Sequence, residues 1–135
     1  MRRLLLACVS IALIACGGSD STAPAANAAG TWNLSTINGA ALPVTLINNP
    51  TQAYKLEILD DQYVLNADGS WNEAFTTRET QGADVVTTPD TDTGTWSQSG
   101  SQVNITGSSG AFVGTINNNT ITVGSQIGPL VYVRQ

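Results

Sequence analysis

The chain has 135 residues, ten carboxylates against five cations, and a formal charge of −5. It contains no histidine and only two cysteines, which excludes imidazole-based triads and the commonest zinc sites, so neither a cofactor nor a metal is expected. An acidic chain without Lys and Arg clusters is also a poor partner for nucleic acid or anionic headgroups.

Arg2 and Arg3 precede an apolar run from Leu4 to Ile14 that only Ser10 interrupts, and Ala15 and Cys16 follow. That is the layout of a signal peptide. As a helix the run spans about 16 Å, against about 30 Å for the hydrocarbon core of a bilayer, so it is too short to be a membrane span. Leu13-Ile14-Ala15-Cys16 resembles the bacterial lipobox, in which small and aliphatic residues precede a cysteine that takes a lipid on sulfur and becomes the new N-terminus. The resemblance implies a signal peptide over 1–15, lipid attachment at Cys16 and the membrane as a partner. Gly17 after the cysteine further implies sorting to the outer membrane in the cell envelope. Two or three acyl chains of the palmitate type, at about 0.8 kcal/mol per buried methylene, hold a protein stably where one chain does not. On this reading Cys8 is removed and Cys16 carries lipid, so no thiol remains for a disulfide, and the mature charge is −7.

Residues 16–28 carry the lipidated cysteine and a small, polar tract with no aromatic residue, which cannot bury apolar surface and reads as a disordered tether. Residues 29–135 suffice for one domain with a modest core. Their period is two: Tyr54, Leu56 and Ile58 alternate with Lys55 and Glu57, and Trp71 and Phe75 with Asn72 and Thr76. Turn signals recur at Asn38-Gly39, Asn49-Pro50, Asp60-Asp61, Asp68-Gly69, Gly82, Pro89, Ser99-Gly100, 107–110, 117–119 and Gly128-Pro129. Between them the pattern predicts strands at 31–37, 54–59, 63–67, 70–79, 84–88, 94–99, 102–106, 111–116, 120–123 and 130–134, and no helix. The fold class is all-β, a small antiparallel meander closed as a barrel or folded as a sandwich.

Gly30-Thr31-Trp32, Ile37-Asn38-Gly39, Leu42-Pro43, Leu65-Asn66-Ala67-Asp68-Gly69, Asp92-Thr93-Gly94-Thr95-Trp96 and Leu130-Val131-Tyr132-Val133-Arg134 occur in an order that resembles the lipocalin-like domains of bacterial lipoproteins. The resemblance implies an up-and-down β-barrel of about eight strands, with Arg134 of the last strand packed across Trp32 of the first to close it. Such a stack is worth about 0.5–2 kcal/mol according to burial.

The remaining chemical candidates are carboxylates. Asp92-Thr93-Gly94 matches the aspartic-protease triplet, but that chemistry needs a second such Asp, and none is present. Asp90 and Asp92 start like a calcium loop, but Gly94 and Ser101 stand where ligands belong, so solvated loop residues are the better reading. Glu73 shares a strand face with Trp71 and Phe75. If that face is interior, Glu73 is a carboxylate in the lumen, its pKa raised unless Arg78 or a Tyr hydroxyl satisfies it. The expected function is non-enzymatic binding of a small apolar ligand by Tyr54, Trp71, Glu73 and Phe75. The alternative is a structural or protein-interaction module of the envelope whose barrel its own side chains fill.

Overall fold

The structure, a computed structural model, describes residues 27–135; the signal peptide, Cys16 and nearly all of the expected tether lie outside the described residues. Ten strands are described: β1 (Gly30–Ile37), β2 (Ala40–Ala41), β3 (Val44–Asn49), β4 (Tyr54–Leu65), β5 (Ser70–Gln81), β6 (Asp84–Ser99), β7 (Gln102–Gly107), β8 (Gly110–Asn117), β9 (Thr120–Val123) and β10 (Leu130–Arg134). From β4 to β10 each strand pairs with the next, and β1 lies between β10 and β4, which closes an eight-stranded antiparallel barrel. The closing register places Trp32 opposite Arg134 on one side and Tyr63 on the other.

Three local expectations are corrected. Residues 54–59 and 63–67 are not two strands around an Asp60-Asp61 turn. They form the single strand β4, whose register against β5 slips between Ile58 and Asp60, so the chain absorbs Leu59 as a bulge instead of reversing. Residues 84–88 and 94–99 likewise join in β6, a strand of 16 residues that runs through Pro89. Proline cannot donate to a ladder and is confined to edges; Pro89 pairs with β5 alone, because β7 joins only at Gly94. The third correction adds β2 and β3, which no alternation signal marked. β2 flanks β1, and β3 pairs with the Tyr54–Ile58 half of β4. The first halves of β4 and β6 and the second half of β5 therefore extend past the barrel as a sheet, with Asp84–Thr91 as one edge.

Alternation sorts the side chains. Trp32, Leu34, Tyr63, Leu65, Trp71, Val103, Ile105, Ile116, Ile121, Val123 and Tyr132 are buried inside, while Thr93, Thr95, Thr106, Thr115 and Thr122 face out and are exposed. This is the reverse of the apolar outer band of a membrane-spanning barrel.

The two ends differ in construction. At one end the Trp32 indole donates to the Ala28 carbonyl at 2.8 Å, the Ala28 amide donates to Gln98 Oε1 at 2.8 Å, and the Trp96 indole donates to the Asn66 carbonyl at 2.8 Å. Ala28 itself is fully buried there, so the segment entering the domain plugs the barrel. Above that plug lies Trp71, whose indole donates to the Thr106 carbonyl at 3.0 Å. Gly94 makes the approach possible, since a Cβ there would stand 1.9 Å from the Thr106 oxygen and 2.6 Å from the Trp71 indole nitrogen.

Candidate functional site

At the opposite end the interior is not filled. A cavity of about 230 Å³ is lined by Leu34 and Ile37 of β1, Ile58, Asp61 and Tyr63 of β4, Glu73 and Phe75 of β5, Ser109, Phe112, Ile127, and Leu130 and Tyr132 of β10. A second depression, of about 340 Å³, shares Ile37 and Ile127 with it and continues along Ala40, Val44 and Leu46. The cavity lies where β4 and β5 leave the barrel, and pairing explains its walls. Asp61 opposes Phe75, Tyr63 opposes Glu73, and Leu65 opposes Trp71, so all six side chains share the inner face. Beyond the bulge the same face continues outward as Ile58 and Thr77.

Of the ligand-lining residues expected from sequence, Glu73 and Phe75 line the cavity and the other two do not. Trp71 belongs to the filled half below, essentially without exposure. Tyr54 lies at the far end of β4 opposite Gln81, in the sheet extension. The reading from alternation followed the face correctly but could not see how far the strands outrun the barrel. Four polar lining groups carried no signal: Asp61 was read as a turn residue, Ser109 as part of a loop, and Tyr63 and Tyr132 only as bulk.

The floor of the cavity is a linked polar group in an otherwise apolar wall. The Tyr132 hydroxyl donates to Asp61 Oδ2 at 2.6 Å, and the Tyr132 ring stacks on Tyr63 with centroids 4.4 Å apart. Asp61 Oδ1 is buried with no hydrogen-bond partner. Burial pushes the Asp61 carboxyl up to about 6, against the pull of the Tyr132 hydrogen bond. Glu73 rises to about 7, first through burial, then through the charges of Asp61 and Asp92 and a hydrogen bond in which its protonated carboxyl donates to Asp61, and last through the charge of Asp90. Both tyrosines are raised as well, again chiefly by burial.

Arg78, one of the two partners suggested for Glu73, does not reach it. Arg78 projects from the other face of β5, where its guanidinium lies 2.7 Å from Glu57 and Lys55 lies 2.6 Å from the same carboxylate. These two donors lower the pKa of Glu57, Lys55 being the larger influence. Asp92 is also occupied. It accepts from Ser108 Oγ at 2.7 Å and from the Thr93, Ser108 and Ser109 amides, and the Ser108 bond leads the causes that hold it well below the ordinary carboxylate range. Asp92-Thr93-Gly94 is therefore a piece of strand whose carboxylate caps the β7–β8 turn, and Asp90 and Asp92 lie on β6 instead of in the solvated loop expected.

Arg134 stands over Trp32 at 4.2 Å from the ring centroid and donates to the Ala29 carbonyl at 2.7 Å and to the Asn27 carbonyl. Gly30, in a left-handed conformation, makes room, for a Cβ there would meet the guanidinium at 2.6 Å. The pair lies at the plugged end, away from the cavity.

Searching curated proteins finds no match to this chain. The lipocalin-like domain family, in contrast, matches residues 29–123, which spans β1 to β9 and every cavity residue before Ile127. With the closed eight-stranded barrel and its plugged and open ends already in hand, that match places the chain in the lipocalin-like domain family.

Proposed function

We propose that this protein is a non-enzymatic, lipid-anchored binder that holds a small ligand in the open end of its barrel. The observation that carries the reading is the cavity of about 230 Å³, apolar in most of its lining and polar at one point on its floor. Binding sites combine those features, a hydrophobic wall with few placed polar groups. At this volume, below the roughly 300 Å³ at which drug-sized sites begin, the occupant is a small molecule or one end of a longer one. The adjoining depression beside β2 and β3 offers the longer ligand a way out.

The anchor at Cys16 and the envelope location rest on the lipobox resemblance. The fold adds a geometrical point in their favour. The chain enters at Asn27 beside Arg134 and Trp32, at the end opposite the cavity. A membrane-held N-terminus would then attach at the end away from the cavity and leave its mouth unobstructed. Intact-mass measurement of protein expressed with its leader should show cleavage before Cys16 and a lipid adduct, and a free thiol there would refute the anchor.

Native mass spectrometry of the protein purified from its own host tests the binder, with a bound small molecule expected at one copy per chain. A second reading, an interaction module of the envelope, draws on the sheet extension, where Val85 and Val86 are 60% and 58% exposed beside the unpaired edge of β6. Ligand-free protein recovered with a stoichiometric protein partner would favour it.

A further inference from the structure

The cavity also carries information about the chemistry of its occupant, an inference that rests on the binder reading. Its floor holds two carboxyls, Asp61 and Glu73, and no cation faces them. The groups turned toward the pair are Tyr63 on β4, Asp90 and Asp92 on β6, and Tyr132 on β10, while Asp60, on the outer face of β4, adds only its charge. The cations of the described residues are committed elsewhere, Lys55 and Arg78 to Glu57 on the outer face and Arg134 to Trp32 at the plugged end.

Four ligand classes can be compared on this ground. An anion would enter a field of carboxylates with nothing to pair it. A purely apolar molecule would leave Asp61 Oδ1 buried with only a proton shared with the Glu73 carboxyl to satisfy it, which is unfavourable for a buried acceptor whenever the pair is ionised. A metal ion is not favoured either, since among the described residues no group of three or more acidic, Cys or His side chains could hold one. An ammonium group supplies what is missing, three donors and a positive charge, and the Phe75 and Phe112 rings that line the cavity suit a cation joined to an apolar body.

We propose that the occupant is a small organic amine, its ammonium seated against Asp61 and Glu73 and its apolar body against Phe75, Phe112 and Leu130. In the empty protein burial and mutual repulsion keep the carboxyl pair partly protonated near neutral pH. The incoming ammonium replaces that proton, so binding releases protons and strengthens as pH rises from 5.5 to 8.5.

The test uses 2-phenylethylamine, 2-phenylethanol and phenylacetate, three probes of one shape, titrated calorimetrically into the purified protein at both pH values. The amine should bind at least about tenfold tighter than the alcohol at the higher pH, as expected for charge-assisted hydrogen bonds replacing neutral ones. Phenylacetate should bind weakest. Glu73→Gln and Asp61→Asn should each remove the amine's advantage while alcohol binding persists, which also certifies that the variants fold. Should a variant fail to fold, the wild-type ranking decides alone. Equal affinities, or phenylacetate tightest, overturn the amine assignment and leave a binder of another class. Absence of binding by all three overturns the amine assignment, and if protein purified from its own host is also ligand-free the binder reading falls with it.

Discussion

The two ends of this barrel are made from the same strands and do opposite things with their inner faces. At the plugged end Trp32, Leu65, Trp71, Val103 and Ile105 are buried with at most 1% exposure, and the indoles of Trp32, Trp71 and Trp96 each end on a backbone carbonyl. At the open end Ile58, Phe75, Phe112 and Leu130 are only partly buried, and the polar atoms include one buried oxygen without a donor. An eight-stranded barrel has room for its own side chains or for one small ligand. This one divides the length, using one half for stability and leaving the other free.

Substitution in the filled half gives the sharpest contrast. Trp71→Ala should cost about 3–5 kcal/mol, the usual loss for a large aromatic removed from a packed core, read as a lower urea midpoint at unchanged slope. Phe75→Ala, two repeats of the pleat further toward the cavity, should cost only about 1–2 kcal/mol because its ring is partly exposed in the folded state. If the two losses were equal, the open end would be core and the division would fail.

A smaller effect is expected at the plug. Arg134→Lys keeps the charge but loses the planar stack on Trp32 and part of the fork that reaches the Asn27 and Ala29 carbonyls, for about 1 kcal/mol by thermal melting. Ligand binding at the other end should be unaffected.

The open end should instead show itself through pH. Asp61 and Glu73 are raised to about 6 and 7 from ordinary values of 3.8 and 4.5, so between those limits the folded protein binds more protons than the unfolded one. Their contribution is complete below about pH 4 and is lost as pH rises through 6 and 7. Between pH 5 and 8 the melting temperature of the empty protein should fall by a few degrees, and Glu73→Gln should flatten that slope. Asp92 acts in the opposite sense, because its carboxylate is held low by Ser108 and the stability it adds disappears in acid. A melting temperature rising from pH 5 to 8 would mean that the carboxyl pair is solvated and the cavity floor is not as described. Smallest of all, Val86→Lys in the sheet extension should change stability by no more than about 0.5 kcal/mol, which marks the extension as lying outside the core.

Much of the barrel was legible from residue order alone. Alternation identified most strands, Gly and Asn marked most turns, and the period of two put Glu73 and Phe75 on one face with Trp71 without showing which way that face turned. The errors share one cause. Asp60-Asp61 and Pro89-Asp90 carry turn composition, yet each lies in a long strand, because a bulge at Leu59 and a free edge beside Pro89 accommodate residues that a central ladder would reject. The same two long strands move Tyr54 away from the cavity and bring Asp61 into it.

By itself, then, the sequence determined the class of fold and its approximate strand number, which depend on local period and short-range turn chemistry, and it put Trp71, Glu73 and Phe75 on one strand face; the pairing of Trp32 with Arg134 was implied by the family resemblance. Only the tertiary structure decided where the barrel stops, which half of its interior is filled, and that the Asp61 and Glu73 carboxyls meet with no cation between them. Those properties depend on how far neighbouring strands overlap, and overlap is set by register between segments distant in sequence, to which local alternation is blind.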